Sequence, residues 1–206
     1  LGVRRQRQMC IRDRYILMQF MLLQLEFIIL LKMDFSKGFN VQLATLFGIG
    51  KIPGGGTWAS LIVLIIALYE QNAETASFLA FLSLIVGPNA YRKLIALFDS
   101  EDPKEYVLDE VIGMGIAISG VYIFTSIFDQ FSFDFIESIS AVGELFILTF
   151  IFFRFFDISK IGPVGWVENN RQEKAYIRVV GDDIMAAILS IIVVIFLLSV
   201  NLYVMQ

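Results

Sequence analysis

The sequence predicts an all-α integral membrane protein, a helical bundle with a short or re-entrant helical hairpin and its charged loops gathered on one face. Three observations carry this. The chain is 57% hydrophobic and only 17% charged, with a mean hydropathy of +0.74, too apolar for an ordinary soluble domain. Its apolar residues fall in long runs rich in Ile, Leu, Val and Phe, divided by short charged segments. Every Lys and Arg after Arg14 lies in three of those segments.

Five apolar stretches are visible in order: Tyr15 to Leu31, Trp58 to Tyr69 followed by Phe78 to Val86, Val111 to Phe128, Glu137 to Phe156, and Ile184 to Tyr203. A hydrocarbon core of ~30 Å needs roughly 20 helical residues at about 1.5 Å each, and the last three approach that length. The Trp58 to Val86 region is two shorter runs around Gln71 to Thr75, as in a tilted hairpin or re-entrant pair that returns the chain to its starting face. Counting crossings then places Lys32 to Thr57, Pro88 to Glu110 and Arg154 to Asp183 together. The opposite turns and the tail carry no basic residue, so the shared face is expected to be cytoplasmic.

The first stretch fits poorly, because a span at Tyr15 to Leu31 would separate Arg4, Arg5, Arg7, Arg12 and Arg14 from Lys32 and Lys37. Residues 1–32 read as a doubtful extension, either a signal-like anchor or non-native read-through ahead of a start near Met33. Residues 33–206 read as the functional membrane domain.

Composition also removes chemistries. Histidine is absent, which excludes imidazole acid/base catalysis, histidine nucleophiles and His-ligated zinc. Cys10 is the one cysteine, so there is no disulfide framework or CxxC site. The net charge of −4 is concentrated in a few segments, and no nucleic-acid partner is expected. Any catalysis rests on carboxylates, hydroxyls, Lys, Arg or Tyr.

Four motifs could carry it. GIGKIPGGGTW (Gly48 to Trp58) reads as backbone able to approach an anion closely, with Lys51 as a point charge and Thr57 as a hydroxyl donor before a helix; it also reads as a turn that merely breaks the chain. It is not a Walker A loop. DSEDPKEYVLDEVIGMG places Asp109 and Glu110 at the entrance of a span, where one acid serves as a cap but several crowded acids call for a divalent cation. Gly113 and Gly115 there suit close helix packing. FRFFDISKIGP repeats Arg154, Asp157 and Lys160 every three residues, along one side of a helix end. Gly181-Asp182-Asp183 stands at the expected start of the last helix, with one Asp as its N-cap and the other free for a cation. Oxygen ligands without His or Cys suit Mg²⁺, and the neighbouring bases suit phosphate.

In this order, GIGKIPGGGTWASL, VLDEVIGMG, FRFFDISKIGPVGWVE and GDDIMA resemble the phosphatidylglycerophosphatase A family over about Val41 to Leu198. The resemblance implies a multi-pass enzyme of the bacterial inner membrane, Mg²⁺-dependent, that removes the terminal phosphate of a membrane phospholipid, phosphatidylglycerophosphate, to give phosphatidylglycerol. It carries the family's acidic residues onto Asp109, Glu110, Asp157, Asp182 and Asp183, and its glycine loop onto Gly48 to Thr57. Asp109, Glu110, Asp182 and Asp183 are the expected metal ligands, and Lys51, Thr57, Arg154 and Lys160 the expected phosphate contacts. The family's Lys-Pro is Lys160-Ile161 here, and AYIRVVG replaces its Gly-rich approach to the paired aspartates. A small transporter or a helical scaffold without chemistry is the alternative, although a transporter should carry polar groups at mid-membrane, where only Glu144 is expected. Nothing in the sequence sets the oligomeric state.

Overall fold

A computed structural model describes residues 35–98, 100, 103–131, 139–170 and 173–205. The stretch Tyr15 to Leu31 and the basic residues before it lie outside them. The chain divides into units 1–39 and 40–206, and of the first only the opening of α1 is described. Every regular element among the described residues is helical: α1 (Phe35–Ala44), a 3₁₀ turn (Ile49–Lys51), α2 (Gly55–Glu70), α3 (Glu74–Phe98), α4 (Leu108–Phe131), α5 (Ile139–Ser159), α6 (Pro163–Glu168) and α7 (Ala175–Met205). Glu74–Phe98, Leu108–Ile127 and Ala175–Val200 are long and apolar enough to cross a membrane, and Gly55–Glu70 is a shorter apolar helix.

The expected hairpin is α2 and α3, joined at Gln71 to Ala73. Gln71 takes a left-handed φ of 55°, and the Asn72 side-chain oxygen accepts from the Glu74 N–H at 2.9 Å to start α3. One expectation about spans changes. Phe78 to Val86 is not an isolated short run, because α3 continues through Pro88 to Phe98; proline removes one backbone bond, which tertiary packing at buried Ala90, Tyr91 and Leu94 outweighs. Of the stretch Glu137 to Phe156, residues 139–156 are described and lie in α5, whose helix runs on to Ser159 and carries Glu144, Arg154 and Asp157. Glu144 sits exposed in the second turn of α5, not at mid-helix.

The last helix is the largest correction. It begins at Ala175, so Asp182 and Asp183 lie inside it and neither is its N-cap. Only its distal part is apolar without interruption. Its 31 residues extend about 46 Å at about 1.5 Å each, beyond a ~30 Å core, so its first turns stand clear of hydrocarbon and carry charge. Gly181 is retained within the helix because a Cβ there would lie 2.9 Å from Val167 Cγ1 on α6.

α4 packs against α2, α3, α5 and α7. Small residues make this possible: Ala59 and Ala67 on α2, Ala76 on α3, Ala117 on α4 and Ala186 and Ala187 on α7 are buried around Met114, Ile118, Phe146 and Phe153. Apolar side chains such as Phe81, Ile85, Ile123, Ile151 and Phe196 face outward, as a lipid-facing surface requires. A Cβ on Gly115 would fall 2.6 Å from the Ala76 carbonyl oxygen and 2.7 Å from Ala80 Cβ. Gly115→Ala gains about 1 kcal/mol of helix propensity but meets backbone that cannot turn aside, an overpacking cost of about 1–3 kcal/mol. A lower melting temperature in detergent is expected; an unchanged one would show that α3 and α4 separate freely.

Candidate active site

The glycine segment is shaped by close approach. Buried Thr45, just after α1, receives the Gly50 N–H on its carbonyl at 2.9 Å and the Gly48 N–H on Oγ1 at 3.1 Å, folding the chain into the 3₁₀ turn that presents Lys51. Gly48 and Gly54 have φ of 97° and 74°, where a side chain would be strained. The other three glycines have neighbours where a Cβ would be. Gly50 lies against the Glu105 carbonyl, Gly55 against Gly50 itself, and Gly56 directly against the Glu110 carboxylate. The loop is therefore seated on the start of α4, which a mere chain break would not require.

Two helices bring the acids together. Asp109 and Glu110 occupy the first turn of α4, where the helix dipole favours negative charge, and Asp182 and Asp183 lie in the third turn of α7. The two helices come close at Gly113, whose missing Cβ would be 3.0 Å from Asp183 Cβ and 2.7 Å from the Phe153 ring. One carboxylate oxygen each from Asp109, Glu110 and Asp183 lies within 4.8 Å of the others. Asp109 and Asp183 are buried, and Glu110 Oε2 is sealed from solvent with no hydrogen-bond partner.

The remaining acids are held by bases. Lys160 donates to Asp182 Oδ2 and lies 3.9 Å from Asp157 Oδ1 and 3.8 Å from Glu168 Oε1. It stands one residue beyond α5 with a left-handed φ of 50°, uncommon for a side-chain-bearing residue, so the Arg154, Asp157, Lys160 spacing is helical only over its first two members. Burial works against the Lys160 charge, but the bond to Asp182 and the charges of Asp182, Asp157 and Glu168 outweigh it and hold the ammonium above its usual range. Arg154 Nη1 lies 2.6 Å from Asp157 Oδ2, and its Nη2 donates to Thr57 Oγ1 at 3.0 Å.

These groups surround a cavity of ≈ 1070 Å³. Asp109, Glu110, Asp157, Asp182, Asp183, Lys51 and Lys160 line it. Thr57 and Arg154 do not: they bond to each other behind it, with Arg154 reaching the wall only through Asp157. Sequence reasoning missed Lys104, Tyr106, Asn169 and Arg178, which also line the cavity. Arg178 had a signal, its i, i+4 spacing to Asp182, visible only once the helix is known to begin at Ala175. Burial, then the nearby charge of Asp109, raises the Tyr106 phenol above its usual range, so it stays protonated.

The donor set fits a hard divalent cation. It offers three oxygens and no nitrogen or sulfur, one carboxylate oxygen has no other partner, and the nearest ammonium is already engaged by Asp182. No curated protein and no solved structure matches the chain. A sequence model of phosphatidylglycerophosphatase A does match, over residues 42–198, a range that contains every residue lining the cavity. The chain thus belongs to the phosphatidylglycerophosphatase A family, and it is a phosphoric monoester hydrolase.

Proposed function

We propose that the chain hydrolyses the terminal phosphomonoester of phosphatidylglycerophosphate in a Mg²⁺-dependent reaction at the cytoplasmic face of a bacterial inner membrane, supplying phosphatidylglycerol for phospholipid synthesis. Residues 33–206 form the catalytic domain in this reading. The observation that carries it is the convergence of Asp109, Glu110 and Asp183 with an unpartnered buried oxygen. Two unit charges 4 Å apart at an effective dielectric of ~20 repel by about 4 kcal/mol, more than one neutral hydrogen bond of about 0.5–1.5 kcal/mol offsets. A divalent cation removes that repulsion. The orientation follows the confinement of basic residues to the segments that build this end of the molecule.

Asp109, Glu110 and Asp183 would hold the metal. When bound it supplies positive charge to the phosphoryl oxygens and acidifies water. The chain's own residues do the rest. Lys160, fixed between Asp182, Asp157 and Glu168, presents a permanent positive charge to the monoester, and Lys51 adds a second from the glycine loop. Asp157, braced by Arg154, orients the attacking water and accepts its proton. Thr57 holds Arg154 in place and acts on the phosphate only through that chain of contacts.

Purified protein in mixed micelles should release inorganic phosphate from phosphatidylglycerophosphate with Mg²⁺, lose that activity in excess chelator, and regain it when Mg²⁺ is restored. Release unaffected by chelation would remove the metal from the reading. No release under any condition would overturn the reaction itself.

A further inference from the structure

The substrate carries two phosphates, and the groups above account for one. Phosphatidylglycerophosphate bears a terminal monoester and, on the other side of the glycerol, the diester that joins it to the acylated backbone. The cavity is far larger than a single phosphate. Two further bases, Lys104 and Arg178, stand in its wall. Arg178 stands four residues before Asp182 on α7, about 6 Å nearer the aqueous end of the helix at about 1.5 Å per residue. From Ile184 onward α7 carries no charge, which sets Asp182 and Asp183 at the hydrocarbon boundary. The polar headgroup layer beyond that boundary is about 5–8 Å thick. Arg178 is therefore at the depth of the lipid phosphates. Lys104 reaches the same cavity from the turn that precedes α4.

Resting on the proposed function, we infer that Arg178 and Lys104 receive the substrate's phosphodiester, one helical turn above the carboxylates that surround the reacting monoester, and so select a lipid with two phosphates over one with a single terminal phosphate. The guanidinium supplies paired donors to the diester oxygens, and Lys104 supplies a point charge.

The test uses the full chain in mixed micelles with Arg178→Gln, Lys104→Gln and the conservative Arg178→Lys. For the Gln variants KM for phosphatidylglycerophosphate should rise by about tenfold or more with kcat near the unmodified value, the loss expected for a charged hydrogen bond. Inhibition by phosphatidylglycerol, which keeps the diester and lacks the monoester, should weaken by a similar factor. Inhibition by inorganic phosphate, which reports the monoester site, should not change, and Arg178→Lys should recover part of the KM. Equal weakening of phosphate and phosphatidylglycerol inhibition would assign these bases to the reacting phosphate and overturn the inference, as would an unchanged KM. Either result leaves the hydrolase reading standing, since that fails only if the unmodified protein releases no phosphate. Where a variant is too unstable for kinetics, the readout is binding of the same lipid to detergent-solubilised protein that still binds inorganic phosphate as the unmodified chain does, where loss of lipid binding supports the inference and retention opposes it.

Discussion

Asp183→Asn is expected to lower phosphate release on the order of 10³-fold while leaving membrane insertion intact, and Asp109→Asn to do the same. The replacements keep the shape of each side chain and remove one charge, so the fold has little reason to respond. Both residues are buried beside Glu110, with Asp109 Oδ1 accepting the Glu110 N–H at 3.0 Å, and together they provide two of the three converging oxygens. A cation held by three carboxylates loses a third of its compensating charge with either change. Turnover measured on protein that resists alkaline extraction from membranes decides the matter: a fully active Asp183→Asn enzyme would remove Asp183 from the site, and likewise for Asp109.

Gly56→Ala should cost about 10²-fold in kcat with almost no loss of stability, the opposite balance from Gly115→Ala. Gly56 is the second residue of α2, where alanine is the better helix former by about 1 kcal/mol. A Cβ there would nonetheless occupy the place of the Glu110 carboxylate. That carboxylate is the far end of a flexible side chain, so it can swing away cheaply, and when it does it leaves the other two acids. Glu110→Asp added to Gly56→Ala shortens the arm by one methylene and should recover part of the rate. Full activity of Gly56→Ala alone would show that the contact has no part in placing Glu110.

Much of this arrangement was legible in the sequence, for reasons that also mark its limits. Hydropathy reports which residues sit in lipid, and it located the apolar parts of α2, α4 and α7 well. It does not report where a helix ends, because helices continue into water. That is why the start of α7 at Ala175 and the passage of α3 through Pro88 were both missed. The acids were found because clustered like charge is costly and therefore informative. Their division was not legible: i, i+3 spacing suggested that Arg154, Asp157 and Lys160 act as one row, yet Arg154 turns toward Thr57 and Lys160 leaves the helix to meet Asp182. Glycines are ambiguous in sequence for a physical reason, since a turn and a close approach both demand the absence of a side chain. Only the neighbours of Gly50, Gly55 and Gly56 tell these apart. Lys104 carries no pattern until the cavity is formed, and the spacing of Arg178 to Asp182 shows only once α7 is known to begin at Ala175.

The approach of α4 and α7 at Gly113 has a consequence for how this protein wears out. The three converging acids sit on two rods, not on loops, so the gap between them is an interaxial distance set by a glycine, a phenylalanine ring and an aspartate methylene. Solubilisers or heat that part the rods by an ångström would dismantle the catalyst while each helix remained wound. Its working life is then governed by lateral cohesion within the bundle, and helix content is a poor gauge of whether a preparation is still competent.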